Sequence, residues 1–121
     1  MTRYNLLSEM TDLVQIDILP DEDLREIVFN RQRDHQAQRD AYLDAPETDP
    51  VYADEKTKRR WIVNYIAHEM ASYDFTHLVA SGKADYGEVE RLTMIAILDK
   101  AALTYPQYAA ECNAQQRRYM R

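Results

Sequence analysis

Gly82 and Gly87 are the only glycines among 121 residues, and this scarcity constrains the fold more than any other feature of the chain. An all-β domain of such length needs many tight hairpins, whose favoured turns require positive φ, a conformation glycine adopts without the steric penalty other residues meet. Two glycines cannot supply those turns, so helices are the default way for this backbone to satisfy its hydrogen bonds. The length lies in the single-domain range of about 100 to 200 residues, and 45% hydrophobic residues suffice for one modest core. The expected architecture is all-α: one domain over residues 1–121, folded as a compact bundle of four to five helices.

Leu6, Leu7, Met10, Leu13 and Val14 share one helical face and predict a helix over residues 5–14, capped by Asn5. Val14, Ile16 and Ile18 then alternate with Gln15 and Asp17, but a lone short strand has no evident partner, so residues 14–19 read as an extended connector. Pro20 at a first helical position, followed by Asp21, Glu22 and Asp23 near the positive end of the helix dipole, starts a helix to about Leu43. Its stripe begins with Leu24, Ile27 and Val28 but continues through Arg31, His35, Gln38 and Tyr42, leaving the second half without a core face. Two prolines and three acids make residues 44–52 a loop.

A third helix is expected over residues 53–72. Trp61, Ile62, Val63, Tyr65, Ile66, Met70 and Tyr73 cover more than half its circumference. Glu69 falls inside that arc, where it must meet a cation or be raised in pKa by desolvation. A break near residue 73 follows, with Ser72 or Asp74 capping a short turn through Phe75, Leu78 and Val79 that Gly82 ends. Asp85-Tyr-Gly-Glu88 has the capping-box spacing. The helix it opens is apolar on nearly every side, through Val89, Leu92, Met94-Ile-Ala-Ile-Leu98, Ala101 and Leu103, which predicts a buried central helix near residues 86–104. Thr104-Tyr-Pro106 closes it, and a last helix carries Tyr108, Cys112, Gln115 and Tyr119 on one face with Arg117, Arg118 and Arg121 at its end.

Charge is distributed unevenly along this scaffold. Residues 1–55 hold fourteen Asp/Glu against five Lys/Arg, and residues 56–121 hold seven against ten. Separated charge of this kind either folds back on itself or meets a partner. No run approaches the ~20 apolar residues that span a bilayer, and the N-terminal residues lack the pattern of a secretory signal. The single Cys112 can form no internal disulfide, so the expected compartment is the cytoplasm, with Cys112 a small packing residue.

Three sets of residues are candidates for function. The first is acidic: Asp21, Glu22, Asp23 and Glu26, extended by the unfinished stripe of Arg31, His35, Gln38 and Tyr42, which suits docking on a basic protein surface. The second is basic, with Lys56, Lys58, Arg59 and Arg60 preceding Trp61 and Arg117 and Arg118 near the chain end; cations beside an aromatic suit phosphate contacts and base stacking. A net charge of −6 counts against a nucleic-acid partner by weakening long-range attraction. The third is His68, Glu69, Asp74 and His77, the densest cluster of catalytic residue types, although zinc-protease spacing is absent and the two histidines fall on opposite sides of an unbroken helix. The simpler roles are an Arg partner for Glu69 and caps from Ser72 and Asp74. Nine tyrosines either seal the edges of a small core, Tyr42, Tyr52, Tyr105, Tyr108 and Tyr119 among them, or form a contact patch. The stretch His68-Glu-Met-Ala-Ser-Tyr-Asp74 resembles segments of small helical domains of bacteria and phages, a resemblance that implies no activity.

The sequence therefore predicts a non-enzymatic, cytoplasmic protein that needs no cofactor or metal and works as an inhibitor or adaptor. Its acidic helix and loop would dock on a basic protein, such as a nucleic-acid-handling machine, or a second copy would pair through exposed tyrosines. A nucleic-acid-binding domain is the first alternative, and a small hydrolase or metal-dependent enzyme is the second.

Overall fold

The computed structural model describes residues 3–43 and 53–120. It is all-α, 76% helical, with a minimal two-stranded sheet. Helix α1 spans Arg3–Leu13, two residues earlier at its start than the sequence suggests, and strand β1 is Gln15–Ile16. Helix α2 runs Asp21–Leu43, and α3 runs Glu55–Tyr65 and widens into a π-turn at Ile66–Met70. Strand β2 is Ala71–Ser72, followed by α4 at Thr76–Ala80 and α5 at Tyr86–Thr104. A 3-10 turn at Pro106–Tyr108 leads into α6 at Ala109–Gln116.

The helix boundaries follow from local hydrogen bonding. Pro20 lies one position before the first helical residue, because its carbonyl accepts the opening bond of α2 from Leu24 N at 3.0 Å. Asp54 caps α3 by accepting from Thr57 N at 2.7 Å, and Asp85 caps α5 by accepting from Glu88 N at 2.8 Å. Gly82, at φ 76°, ends α4: its N–H bonds to the Val79 carbonyl and that of Lys83 to the Leu78 carbonyl, both at 3.1 Å. This double closure needs a residue in the left-handed region, and a Cβ there would meet no neighbour, so the glycine is required by backbone conformation and not by space.

The expected third helix is interrupted earlier than residue 73. At its end the Ala71 N–H reaches back to the Ile66 carbonyl, and Ala71 itself is extended. The released backbone then pairs antiparallel with β1, Gln15 opposite Ser72 and Ile16 opposite Ala71. Residues 14–19 are thus more than a connector, because their partner strand sits at a helix break that carries no period-two signal of its own.

Helix α5 is the centre of the fold, packed by α1, α4, α6, the π-turn, the 3-10 turn and β1. Val89, Leu92, Thr93, Ile95, Ala96, Ile97, Leu98 and Ala101 are all buried, so every side of its middle is covered. Thr93 remains tolerable there because its hydroxyl bonds the Val89 carbonyl at 2.6 Å. Leu103 departs from the expected buried face: it is 74% exposed, pointing away from the side that buries Ala101 and Tyr105. Buried Gln116 fixes α6 to α5 through the Ile95 carbonyl at 3.0 Å and the Asp99 carboxylate. No helix among the described residues is long and apolar enough to cross a membrane.

Candidate functional site

Tyr108 is the point where three elements meet. Fully buried at the start of α6, it donates its hydroxyl to the Asp21 carboxylate at the first turn of α2. The Arg59 guanidinium of α3 lies 4.8 Å from its ring centroid and binds Glu111 and the Gln107 carbonyl, its second Glu111 contact being 3.1 Å. Arg25 completes the junction by bonding Asp21 at 3.1 Å and Glu55 at 2.6 Å. Burial, together with the Asp21 bond, pushes the Tyr108 hydroxyl up to about 12. Burial works against the Asp21 carboxylate, but the Tyr108 hydroxyl and Arg25 outweigh it and hold that group below the usual range. The Arg59 bond likewise lowers Glu111. Asp21, itself exposed, and half-buried Arg59 thus serve as paired struts of this junction, and Lys58 is half-buried with its ammonium 5.3 Å from the Phe29 centroid.

The stripe of α2 divides at Val28. Leu24 and Val28 are buried, whereas Arg31 pairs with Glu69 and lies 5.5 Å from the Tyr65 ring centroid. Glu69 thereby has its cation. His35 and Gln38, farther along, are exposed, so α2 continues past the core. The Tyr42 side chain and residues 44–52, with Tyr52, lie outside the described residues. Tyr105 and Tyr108 are buried edge seals, and Tyr119 is half-buried.

Glu22, Asp23 and Glu26 are exposed and take part in no ion pair among the described residues. Beside them, the Tyr105 hydroxyl accepts from Leu19 N and donates to the Asp17 carbonyl, each at 2.8 Å. Ile18, between these two fixed backbone groups, is 82% exposed. A short connector held on both sides thus carries an exposed apolar side chain a few residues ahead of three exposed carboxylates. Sequence reasoning missed this because the clamp comes from a tyrosine more than eighty residues downstream.

The basic candidates are also divided. While Arg59 and Lys58 turn to internal partners, Lys56, Arg60, Trp61 and Arg118 line one groove of about 540 Å³ between α3 and α6. Asn64, Gln115 and Glu111 share its wall, Gln115 donating to Asn64. Arg117 is exposed but does not line it. Among the described residues, no ion pair joins an acid of residues 1–55 to a cation of residues 56–121. Arg31–Glu69 instead joins the minority charge of each half, so the described acidic and basic surfaces do not cancel by direct pairing.

The His68, Glu69, Asp74 and His77 set does not converge. His68 and Asp74 line a broad hollow of about 1130 Å³ with Tyr73, Tyr86 and Arg91, while Glu69 and His77 do not border it. Asp74 accepts from Thr76 N at 3.1 Å and the Thr76 hydroxyl at 2.8 Å, closing the turn before α4. No group of three or more metal-ligating side chains is gathered among the described residues. Cys112 is buried, and that burial pushes its thiol up to about 11.

No protein-family model matches the chain, and neither a curated protein nor a solved structure matches it.

Proposed function

We propose that this chain is a non-enzymatic binding protein, an inhibitor or adaptor, that docks the start of α2 on a basic surface of a protein partner. The observation carrying this reading is the pairing of Ile18, held out by the Tyr105 clamp, with Glu22, Asp23 and Glu26, whose charge is not used internally. An exposed apolar anchor followed closely in the chain by unpaired charge suits an interaction hot spot: the anchor supplies buried area, and the carboxylates set orientation and encounter rate. Fixing the connector before binding reduces the ordering cost of association. Asp21 belongs to the Tyr108 junction and is not part of the docking face.

The test is affinity capture of protein partners from the native host, with nuclease present, comparing the wild-type chain with Glu22→Gln/Asp23→Asn/Glu26→Gln. Capture should depend on salt and fall at least tenfold in the variant, and Ile18→Ala should weaken it further. Equal recovery by wild type and variant would refute this placement of the docking face.

A further inference from the structure

We infer that the groove between α3 and α6 is a binding site for single-stranded nucleic acid, with Trp61 as the stacking platform and Lys56, Arg60 and Arg118 as phosphate contacts. This site is separate from the acidic face and stands independently of the docking proposal.

Two helices bring these cations together: Lys56 and Arg60 are one turn apart on α3, and Arg118 comes from the turn after α6. None makes an ion pair among the described residues. Two carboxylates lie nearby, and one of them has its own cation. Glu111 is neutralised by Arg59, whereas exposed Asp54, the cap of α3 and not part of the groove lining, keeps its charge near Arg60 and Lys56, so that three cations face one uncompensated carboxylate. The groove is therefore positive where it is open, even though the chain as a whole is −6.

Shape and composition select the occupant. A concavity of about 540 Å³ is the size of a small-ligand pocket, typically about 300–1,000 Å³, and receives a segment of one strand. Reading a duplex through its major groove would instead need a protruding helix or ribbon. Trp61 is half-buried and braced edge-on by Phe29, with centroids 6.4 Å apart at 73°, so its indole is held in place before a base arrives. An acidic peptide would use the cations and leave the indole idle. On the same wall, Gln115 Oε1 is the one buried side-chain polar atom without a hydrogen-bond partner among the described residues, which marks the Asn64–Gln115 pair as polar capacity not fully used inside the fold.

Trp61 is the only tryptophan in the chain and reports its own occupancy. Titrating the full chain at low salt with an oligothymidylate should quench its fluorescence. Three phosphate contacts predict a slope of log K against log salt of about −2. Lys56→Ala/Arg60→Ala/Arg118→Ala should lower affinity at least tenfold and flatten that slope, with circular dichroism and the urea midpoint showing that the variant folds. Trp61→Phe, followed by anisotropy of a labelled oligothymidylate, should bind several-fold more weakly at an unchanged slope. Absence of binding at low salt, or binding that the triple substitution leaves intact, would overturn the proposal. So would polyglutamate binding as tightly with the same quenching, or self-association through the groove that oligothymidylate fails to displace. Glu22→Gln/Asp23→Asn/Glu26→Gln should leave oligothymidylate binding at least as strong as in the wild type, which separates this test from that of the docking face.

Discussion

Asp21 and Glu22 are neighbours in sequence and opposite in use, as are Arg59 and Arg60. The first member of each pair is bonded into the Tyr108 junction, Asp21 while still solvent-exposed, and the second is exposed without an ion pair among the described residues. One step along a helix is about 100°, enough to change a charge from strut to contact. Composition over a window therefore says little about how many of its charges are available. The asymmetry between the two halves of the chain persists at the surface because the junction uses both signs, Asp21 and Glu111 with Arg25 and Arg59.

The strongest challenge to this contrast is Tyr108→Ala, which removes a fully buried ring and leaves Asp21 and Arg59 without their shared partner. A loss of about 3–5 kcal/mol is expected in urea denaturation, and Tyr108→Phe, which keeps the ring, should lose only about 1–2 kcal/mol. A smaller cost for the alanine than for the phenylalanine variant would refute the account of the junction. Arg59→Ala should cost about 1–3 kcal/mol, a value reduced by the partial exposure of its ion pair, and Lys58→Ala under about 1 kcal/mol. Equal costs would erase the distinction between Arg59, held by an ion pair, and Lys58, held only by the Phe29 ring.

Tyr105→Phe should destabilise by about 1–2 kcal/mol and speed hydrogen exchange at the Leu19 amide, because that amide and the Asp17 carbonyl lose their partner. Unchanged exchange would show that the connector is held by something else.

Titration sharpens the same contrast. Asp21 and Glu111 are depressed in the folded state, so the stability they contribute is complete above their unfolded values of 3.8 and 4.5 and is lost as pH falls through the lower folded values. Tyr108 and Cys112 are raised, so their contribution is complete below the unfolded values of 10.0 and 9.0 and is lost as pH rises toward about 12 and about 11. Tyr108→Phe should therefore flatten the alkaline limb of a stability profile, and a thiol reagent at neutral pH should label Cys112 only at the rate of unfolding. Rapid labelling of the folded chain would contradict its burial. The smallest effect belongs to Glu22→Gln/Asp23→Asn/Glu26→Gln, expected within about 0.5 kcal/mol of wild type. A large loss would mean that these carboxylates are structural after all.

The legibility of the fold followed the range of the interactions. Asp85 and Gly82 act within four residues of their own positions, so the start of α5 and the end of α4 could be read directly. The β1–β2 pair could not, because the alternation at β1 has its partner more than fifty residues away, in a two-residue strand too short to show a period. The stripe through Arg31 was visible as an anomaly, but its partner Glu69 depends on how α2 crosses α3. For the candidate surfaces, residue types and approximate segments were readable. Which member of each adjacent like-charged pair faces Tyr108 was not, since that depends on where α6 comes to rest.

The Tyr105 clamp also has a kinetic meaning. Its bond to Asp17 closes a separation of 88 residues, and that from Tyr108 to Asp21 closes 87. Contacts this distant come late and slowly when chains fold, and during synthesis they wait until residues 105 to 108 have emerged. The connector bearing Ile18 is thus fixed only after α5 and the 3-10 turn exist, so a truncated or half-made chain carries the acidic residues without the rigid tip beside them.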